Sequence, residues 1–373
     1  MKTRITLSFA LLLGFTMVIK AQSLGDFSPK EDRGAYGPRE FPSKDVYIAN
    51  FAVNFELYNL RSTSTKGGFA NKMLSGDTKA SLAVGLDIPA ATLQQITDEA
   101  YKGFVAELQA KGFNVLNPDA AASAPYYEGY ERIDNMEMSL SEAPGVITAY
   151  PSNTTFFVKG FDNSGKIKRA GMFSVVGLAD RLDEVMSYPK LSRDLNDATI
   201  INADMYVLFL DINKPYQGKG AKLTANTNLR LSAYDALKSR MTEGKNSFTD
   251  KIGITASKNK EFTATARTVI DFVAGRNKIG GSALGTYTGV LKKDLAINGV
   301  VSQEKVQSYA KTQNSYLGVE TAFGKMYRTE NIAVENTAII RADAGKYETG
   351  VEQALQTFLK HHVGEFNDKF FKK

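Results

Sequence analysis

The sequence predicts an α/β protein of the α+β type, in which helices flank a mixed sheet that carries β-rich insertions. Three observations support this fold class: strand-like alternation at 44–57, a nearly continuous apolar run at 204–213, and helical periodicity both at 89–111 and from about Asp343 onward. The chain has 373 residues, of which 43% are hydrophobic. A chain of this length and composition can bury a large core.

The first predicted strand begins at Lys44. Its phase of alternation changes once near Asn50, so we expect either one long strand with a β-bulge or two consecutive strands. Residues 61–75 are rich in Ser, Thr, Gly and Lys and predict a loop, after which 80–86 predicts a second strand. The apolar residues of the first strand are Val46, Ile48, Phe51, Val53, Phe55 and Leu57.

The clearest helix is predicted at 89–111. Asp87 can cap its N-terminus, Pro89 suits its first turn, and Gly112 suits the position after its last turn. Residues 113–116 then predict a strand, so this helix connects two strands, as in an α/β layer. Apolar residues recur at spacings of three and four, at Leu93, Ile96, Ala100, Phe104 and Leu108.

The run at 204–213 is typical of a central strand that is buried on both faces. Residues 222–235 alternate again and predict an antiparallel hairpin with it, and 252–274 contains a further β pattern. Another strand is predicted at 154–158, with a hairpin return through 166–173.

Two further helices follow from the pattern. A short helix is predicted at 178–186, with Pro189 at its end. A long C-terminal helix is predicted from near Asp343. Its apolar face consists of Tyr347, Val351, Ala354, Leu355, Phe358 and Leu359.

The chain divides into three parts by composition. Residues 1–21 predict a signal peptide, and 22–43, with three prolines and three glycines among charged residues, predicts an extended N-terminal arm. Residues 44–373 predict one principal α/β domain. Within it we expect a β-rich insertion around 119–175 and a second, irregular region around 275–335.

The N-terminus has the three-part pattern of a secretory signal. Lys2 and Arg4 precede an apolar run of about 15 residues that Lys20 ends. This run is shorter than the roughly 20 residues of a membrane-spanning helix. We therefore expect cleavage and export to the periplasm, the outer-membrane periphery or the exterior, with an uncleaved anchor as the alternative.

Cleavage changes the charge of the protein. The formal net charge of +6 includes the three cations of the signal, Lys2, Arg4 and Lys20, so removing them leaves a net charge of +3. Such a balance gives little support to nucleic-acid binding. The sequence also predicts no transmembrane helix in the mature chain, because no other apolar run approaches 18 residues.

The composition removes much catalytic chemistry. Cysteine is absent, which excludes disulfides, thiolate metal sites and cysteine nucleophiles. The only histidines are His361 and His362, and neighbouring residues of a helix point about 100° apart, so the pair cannot chelate one metal ion together. We expect no metal, no cofactor and no identifiable catalytic residue, and we expect the two histidines to lie at a solvated helix end.

Two candidate motifs have ordinary structural explanations. Residues 275–282 (GRNKIGGS) resemble a phosphate-binding loop, but Gly281 stands where lysine is required and poor helix formers follow. This segment predicts a glycine-rich turn between strands. Asp211 is the best single candidate for a catalytic carboxylate, although we expect it to lie in water at the end of its strand.

Tyr126, Tyr127 and Tyr130 form the candidate ligand-binding site. Aromatic side chains at this spacing can serve as a platform for a sugar or a peptide. The alternative is that they cover the edge of a core.

The order of elements resembles the periplasmic α/β domain of the curli-secretion channel family (CsgG-like). The segments that carry the resemblance are KDVYIANF, GFNVLNP, NADMYVLFLDI, ANTNLRLSAYDAL and ADAGKYETGVEQAL. The resemblance implies an envelope protein that acts in assembly or transport. That family is lipidated, whereas this chain has no cysteine that could accept a lipid.

The sequence therefore predicts an exported, non-catalytic envelope or surface protein that acts through contacts with other envelope proteins. Two alternatives remain open. One is a carboxylate-based, glycosidase-like hydrolase, which needs two carboxylates about 5–10 Å apart in a cleft. The other is a binding module for a carbohydrate or a peptide.

Overall fold

The structure is a computed structural model in which strands and helices both occur, so the predicted mixed α/β class is confirmed at this level. The predicted hairpin return at 166–173 and the predicted helix at 178–186 lie outside the described residues. The structure describes residues 22–32, 39–65, 78–135, 138–140, 145–158, 187–212, 222–241, 260–275, 283–301, 305–309, 316–321, 324–329 and 337–372.

The helices are α1 (Ala90–Ala110), α2 (Pro118–Ala121), α3 (187–194) and α4 (Ala344–Phe370). The strands are β1 (Ser23–Leu24), β2 (Pro29–Glu31), β3 (Asp45–Glu56), β4 (Tyr58–Thr65), β5 (Thr78–Asp87), β6 (Asn114–Val115), β7 (Glu131–Asp134), β8 (Met138–Leu140), β9 (Val146–Ala149), β10 (Thr155–Val158), β11 (Thr199–Ile212), β12 (Lys222–Leu231), β13 (Asp235–Met241), β14 (Lys260–Ala266), β15 (Val269–Ala274), β16 (Gly285–Leu291), β17 (Leu295–Asn298), β18 (Lys305–Tyr309), β19 (Tyr316–Thr321), β20 (Gly324–Thr329) and β21 (Thr337–Arg341).

Strand β11 lies at the centre of the largest sheet, which has 12 strands among the described residues. One of its edges pairs in parallel with β3. Its other edge pairs antiparallel with β15 along the first half of the strand and with β12 along the second half. The predicted central strand and its antiparallel hairpin are therefore confirmed, and the combination of parallel and antiparallel pairs makes the sheet mixed.

The change of phase near Asn50 corresponds to a β-bulge in β3. In the register between β3 and β11, Ile48 lies opposite Ile201. The next pair is Asn50 opposite Asn202, which leaves Ala49 as the extra residue. Because of this bulge, the apolar residues on both sides of it point into the same core.

Helix α1 connects β3 to β6 by way of the β4–β5 hairpin, and β3 and β6 are parallel neighbours. The helix ends in a Schellman motif, in which the N–H of Phe113 donates to the carbonyl of Leu108 at 3.0 Å. Gly112 has a φ of +78°, the left-handed conformation that this motif requires and that glycine adopts without strain. The predicted helix and its glycine end are confirmed.

Helices α1 and α4 pack against each other on one face of the large sheet and bury its main apolar core. Asp343 is the N-cap of α4 and accepts a hydrogen bond from the N–H of Lys346 at 3.0 Å. The apolar face predicted for this helix is fully buried. Side chains of β11 that belong to this core are Ile201, Ala203, Met205, Val207, Phe209 and Leu210.

The opposite face of the sheet is divided into two apolar ends and a polar middle. At one end, α3 and the segment after β6 cover a smaller cluster that includes Tyr47, Ile200 and Val273. At the other end, Leu208 packs with Val146. The middle carries buried amide and carboxylate side chains.

The N-terminal arm forms two strands that pair with the large sheet, β1 with β17 and β2 with β16. Described residues before, between and after these strands contact α4. The amide of Gln22 donates to the carbonyl of Lys346 at 2.8 Å, and the ring of Phe27 contacts His361. The ring of Phe41 is buried at the end of α4. The arm is thus part of the folded body and not a separate linker.

Three local expectations are wrong. Residues 61–65, predicted as part of a loop, belong to β4, because they pair with β5. Asp87 ends β5 and does not cap α1, whose N-cap is Pro89 without a side-chain hydrogen bond. Pro189 does not end a helix, since residues 187–194 are helical on both sides of it. In addition, strands β16 to β20 occupy much of the region whose sequence pattern indicates no regular structure.

Candidate binding site

A gap in strand pairing lies on the outer edge of β3. Strand β6 pairs with Asp45 and Val46, and β9 pairs only from Val53 onward. Among the described strands, none pairs with residues 47–52 on this edge. A pocket of about 300 Å³ opens at the gap, and Ile48 is part of its lining. The pocket therefore lies where the sheet leaves backbone groups of β3 without a neighbouring strand.

Aromatic side chains form the inner wall of the pocket. They come from three elements: Tyr47 from β3, Tyr101 from α1 and Phe156 from β10. Tyr47 is 1% exposed, and its burial raises the pKa of its phenol to about 12. Burial also raises the pKa of Tyr101. Both hydroxyls are therefore neutral hydrogen-bonding groups at physiological pH.

The rim of the pocket is polar. The guanidinium of Arg132 donates to the carboxylate of Asp119 at 2.8 Å and to that of Asp134 at 3.0 Å. These hydrogen bonds raise the pKa of Arg132. A hydrogen bond from Thr155 at 2.6 Å, followed by the bond from Arg132, lowers the pKa of Asp134. The rim thus carries one cation, Arg132, and one carboxylate, Asp119, while Asp134 bonds to Arg132 from outside the lining.

Local sequence fixes the position of Asp119. Asn117 is the N-cap of α2, and its side-chain oxygen accepts the N–H of Asp119 at 2.9 Å. Pro118 supplies the first helical residue, whose fixed φ suits that position. The short helix therefore holds the Asp119 carboxylate at the mouth of the pocket, where Arg132 reaches it from β7.

The three tyrosines of the sequence prediction lie together next to this pocket, but they do not line it. Tyr127 is buried and stacks on Phe157, with 4.3 Å between ring centroids, and its hydroxyl interacts with that of Tyr47. Tyr126 and Tyr130 are half-buried. Tyr127 therefore separates the pocket from the other two rings, and ligand binding by this cluster remains a prediction.

Hydrogen bonds order the two half-buried tyrosines. The hydroxyl of Tyr126 is 2.8 Å from that of Ser187, and its backbone N–H donates to Asp194 at 3.0 Å. The ring of Tyr130 lies 5.2 Å from that of Tyr127. These contacts connect the segment after α2 to α3.

Sequence reasoning missed Tyr47, Tyr101, Asp119 and Arg132 as neighbours, because they belong to four elements that only the fold brings together. One signal was available. The sequence Asn-Pro-Asp follows the predicted strand at 113–116, and this is a pattern that places a carboxylate at the start of a helix.

The polar middle of the sheet contains two buried carboxylates, Asp204 and Asp271. Asp271 accepts hydrogen bonds from Asn202 at 3.2 Å and from Thr288 at 2.7 Å. Asn50 donates to the oxygen of Asn202 at 3.0 Å, which extends this row across four strands. In a second row, Asp204 accepts from an asparagine of β3. The rows bond neighbouring strands to each other within the sheet, away from the pocket.

The hydrolase alternative needs two carboxylates on one surface. Asp204 and Asp271 lie on the same face of neighbouring strands, since Asn202 is opposite Asp271 in the register. A diagonal pair of this kind has Cα atoms about 7–8 Å apart. Asp204 is 0% and Asp271 is 6% exposed, and both accept hydrogen bonds from side chains. Asp211 is exposed, as expected for a strand end in water.

The expectation of a solvated histidine pair is wrong for His362. This residue is buried eight positions before the end of α4, and its Nδ1 lies 2.8 Å from the hydroxyl of Tyr287. Burial, followed by the charge of His361, lowers the pKa of His362 to about 3. Within the described ranges, no group of three or more metal-ligating side chains converges.

The glycine-rich segment stands between two antiparallel strands. Gly275 follows β15 and is buried, and β16 begins at Gly285 and pairs back on β15. A strand rather than a helix follows the segment, so the helix N-terminus that a phosphate loop needs is not at this position. Residues 276–282 themselves lie outside the described part of the chain.

Comparisons with family models, with curated proteins and with solved structures found no match to this chain. Of the helices that the structure describes, none has the length and apolar character needed to cross a membrane.

Proposed function

We propose that this chain is an exported, non-catalytic protein of the cell envelope or cell surface that acts through protein–protein contacts in assembly or transport. The observation that carries the proposal is that β13–β14 and β19–β20, two of the three two-stranded sheets among the described residues, form ribbons outside the large sheet. These two ribbons are the regions where we expect partners to bind.

Both ribbons pair without interruption. Strand β13 pairs with β14 from Asp235, opposite Ala266, to Met241, opposite Lys260. Strand β19 pairs with β20 in the same continuous way. In the part of the chain that the structure describes, neither ribbon pairs with a third strand.

An isolated two-stranded ribbon is at best marginally stable in water. Its outer edges carry backbone N–H and C=O groups that can accept another strand. A partner that adds a strand, or that covers one face of a ribbon, would supply the missing burial and hydrogen bonds. This physical requirement supports contact with other proteins as the role of the ribbons.

Two sequence features support an envelope location. The N-terminal basic and apolar pattern is that of a secretory signal. The resemblance to the CsgG-like family implies a role in envelope assembly or transport. The partners we propose are accordingly other proteins of the envelope.

Cell fractionation combined with chemical crosslinking tests this proposal. We expect the processed chain in the periplasmic, outer-membrane or extracellular fraction, and crosslinking should convert it to a discrete larger species. A Leu12→Arg variant, which interrupts the apolar run of the signal, is the control and should remain in the cytoplasm. An unprocessed wild-type chain in the cytoplasm, or an exported chain that forms no crosslinked species, would contradict the proposal.

The pocket beside β3 favours a second candidate function, the binding of a carbohydrate or a peptide. Its aromatic wall and its rim of hydrogen-bonding groups support this candidate.

A further inference from the structure

We propose that the pocket at the gap between β6 and β9 binds one neutral sugar residue of a glycan, with Arg132 and Asp119 as its hydrogen-bonding groups and Tyr47 and Tyr101 as its aromatic wall. This site is distinct from the ribbons and from the Tyr126–Tyr130 cluster. It does not depend on the proposed protein contacts.

The edge of β3 supplies backbone groups to the pocket. The carbonyls of Lys44 and Val46 accept the N–H groups of Asn114 and Leu116, so this edge of β3 faces β6 at alternate residues. By the same alternation, the N–H and C=O of Ile48 face the gap. Strands β6 and β9 close the two ends of the gap, which leaves room for a short ligand and not for a long added strand.

The chemistry of the rim matches hydroxyl groups. A sugar hydroxyl both donates and accepts hydrogen bonds, and the rim offers a donor in Arg132 and an acceptor in Asp119, held 2.8 Å apart. Both side chains remain accessible, with 42% and 67% of their surface exposed. The amide side chain of Asn153, also in the lining, can do both.

The charge of the rim argues for a neutral ligand. The guanidinium of Arg132 is paired with Asp119 in the lining and with Asp134 next to it, so the formal charge of these three groups together is negative. A phosphate or carboxylate ligand would be repelled by this arrangement. A neutral polyol avoids that repulsion and still uses the fixed donors and acceptors.

The size and the wall of the pocket fit one ring. A volume of about 300 Å³ is at the lower end of the range for small-molecule sites, about 300–1,000 Å³. The rings of Tyr101 and Phe156 present apolar surface to the carbon-bound hydrogens of a sugar, while the rim binds its hydroxyls.

A glycan array of neutral and acidic oligosaccharides, followed by titration of the best ligand, tests the proposal with the full processed chain. We expect binding to neutral glycans, and we expect Arg132→Met to weaken it about tenfold or more, since a hydrogen bond to a charged group is lost. Asp119→Asn should weaken binding without removing the side chain. The matched control is Lys293→Met, at an exposed ion pair with Asp26 outside the pocket lining, which we expect to bind like the wild type. Tyr126→Phe and Tyr130→Phe test whether the tyrosine cluster binds the glycan instead.

Several outcomes would overturn the proposal. The first two are no binding to any neutral glycan and binding to acidic glycans alone. The third is loss of binding in the two tyrosine variants while Arg132→Met still binds like the wild type. The exposed ion pairs of Arg132 contribute little stability, so Arg132→Met should unfold at the wild-type temperature. If Arg132→Met unfolds at a lower temperature than the wild type, Arg132→Lys takes its place in the binding test. Lysine keeps the charge but lacks the planar geometry of the guanidinium, so this variant should also bind the glycan more weakly.

Discussion

The large sheet and the two ribbons are made of similar strands, but they differ in what surrounds each strand. Strand β11 has hydrogen-bonded neighbours on both edges and buried side chains on both faces. Strand β13 has β14 on one edge, and the described chain offers it no second strand. Strand pairing alone contributes little stability. We therefore expect the body, which is the large sheet with helices α1 and α4, to be stable by itself, and we expect the ribbons to gain order from further contacts.

The largest expected effect tests how much the core between the large sheet and helix α4 contributes to stability. Phe366 of α4 is fully buried, with its ring stacked on Phe272 at 4.1 Å and near Phe41 at 4.7 Å. We expect Phe366→Ala to lower the free energy of unfolding by about 3–5 kcal/mol, because it leaves a cavity in this core. Urea denaturation measures the loss. Tyr234→Ala, at a tyrosine that is 67% exposed, is the control and should change it by less than about 0.5 kcal/mol.

The next effect concerns the polar middle of the sheet. Asn202 is 2% exposed and connects Asn50 to Asp271. Asn202→Ala leaves both neighbours without this partner in a buried site, so we expect a loss of about 1–3 kcal/mol in urea denaturation. Asp211→Ala, at an exposed position of the same strand, should be nearly neutral. Equal losses in the two variants would show that the row of hydrogen bonds does not stabilise the body.

Acid should weaken the body through His362. Its pKa in the folded protein is lowered to about 3, so the unfolded chain binds a proton near pH 6.5 that the folded chain does not bind. The unfolding free energy should therefore fall as the pH drops below 6.5, by about 1 kcal/mol between pH 6.5 and 5.5.

The histidine contribution is isolated by comparing slopes. Burial lowers the pKa of His361 as well, but this residue is only half-buried. We expect His362→Gln to flatten the fall in stability between pH 6.5 and 5.5 more than His361→Gln does. The same slope in both variants and the wild type would rule out His362 as its source.

The smallest expected effect on stability concerns a ribbon. Ser239 lies in β13 opposite Phe262, towards the far end of the pairing. Ser239→Pro removes a backbone N–H from the ribbon. It should change the free energy of the main unfolding transition by less than about 0.5 kcal/mol, because the large sheet and its helices do not need this ribbon for their stability. We expect the same variant to lose the crosslinked species. A large loss of global stability would show instead that the ribbon is part of the body.

The sequence pattern predicts the body well because periodicity reports burial on one face. Helices α1 and α4 and the bulge in β3 follow from spacings of apolar residues, and strand β11 follows from a nearly continuous apolar run. Caps are harder to predict, as Asp87 shows, since a strand continues up to it and the helix starts later. The burial of His362 could not be predicted, because it depends on Tyr287, a residue of β16 that is distant in sequence.

The candidate site was predicted only in part. The cluster at Tyr126, Tyr127 and Tyr130 is visible because its members are neighbours in sequence. The pocket is not visible in the sequence, because Tyr47 and Arg132 come together only at the pairing gap on β3. No local pattern encodes where strand pairing stops.

Position-specific photo-crosslinking in the producing cells tests most directly the claim that the ribbons bind partners. A photoreactive residue would be placed at Ser239 of β13 and, as the control, at Gln109, an exposed residue of α1. We expect a discrete adduct with an envelope protein from position 239 and none from position 109. Adducts of equal yield from both positions, or none from position 239, would contradict this claim.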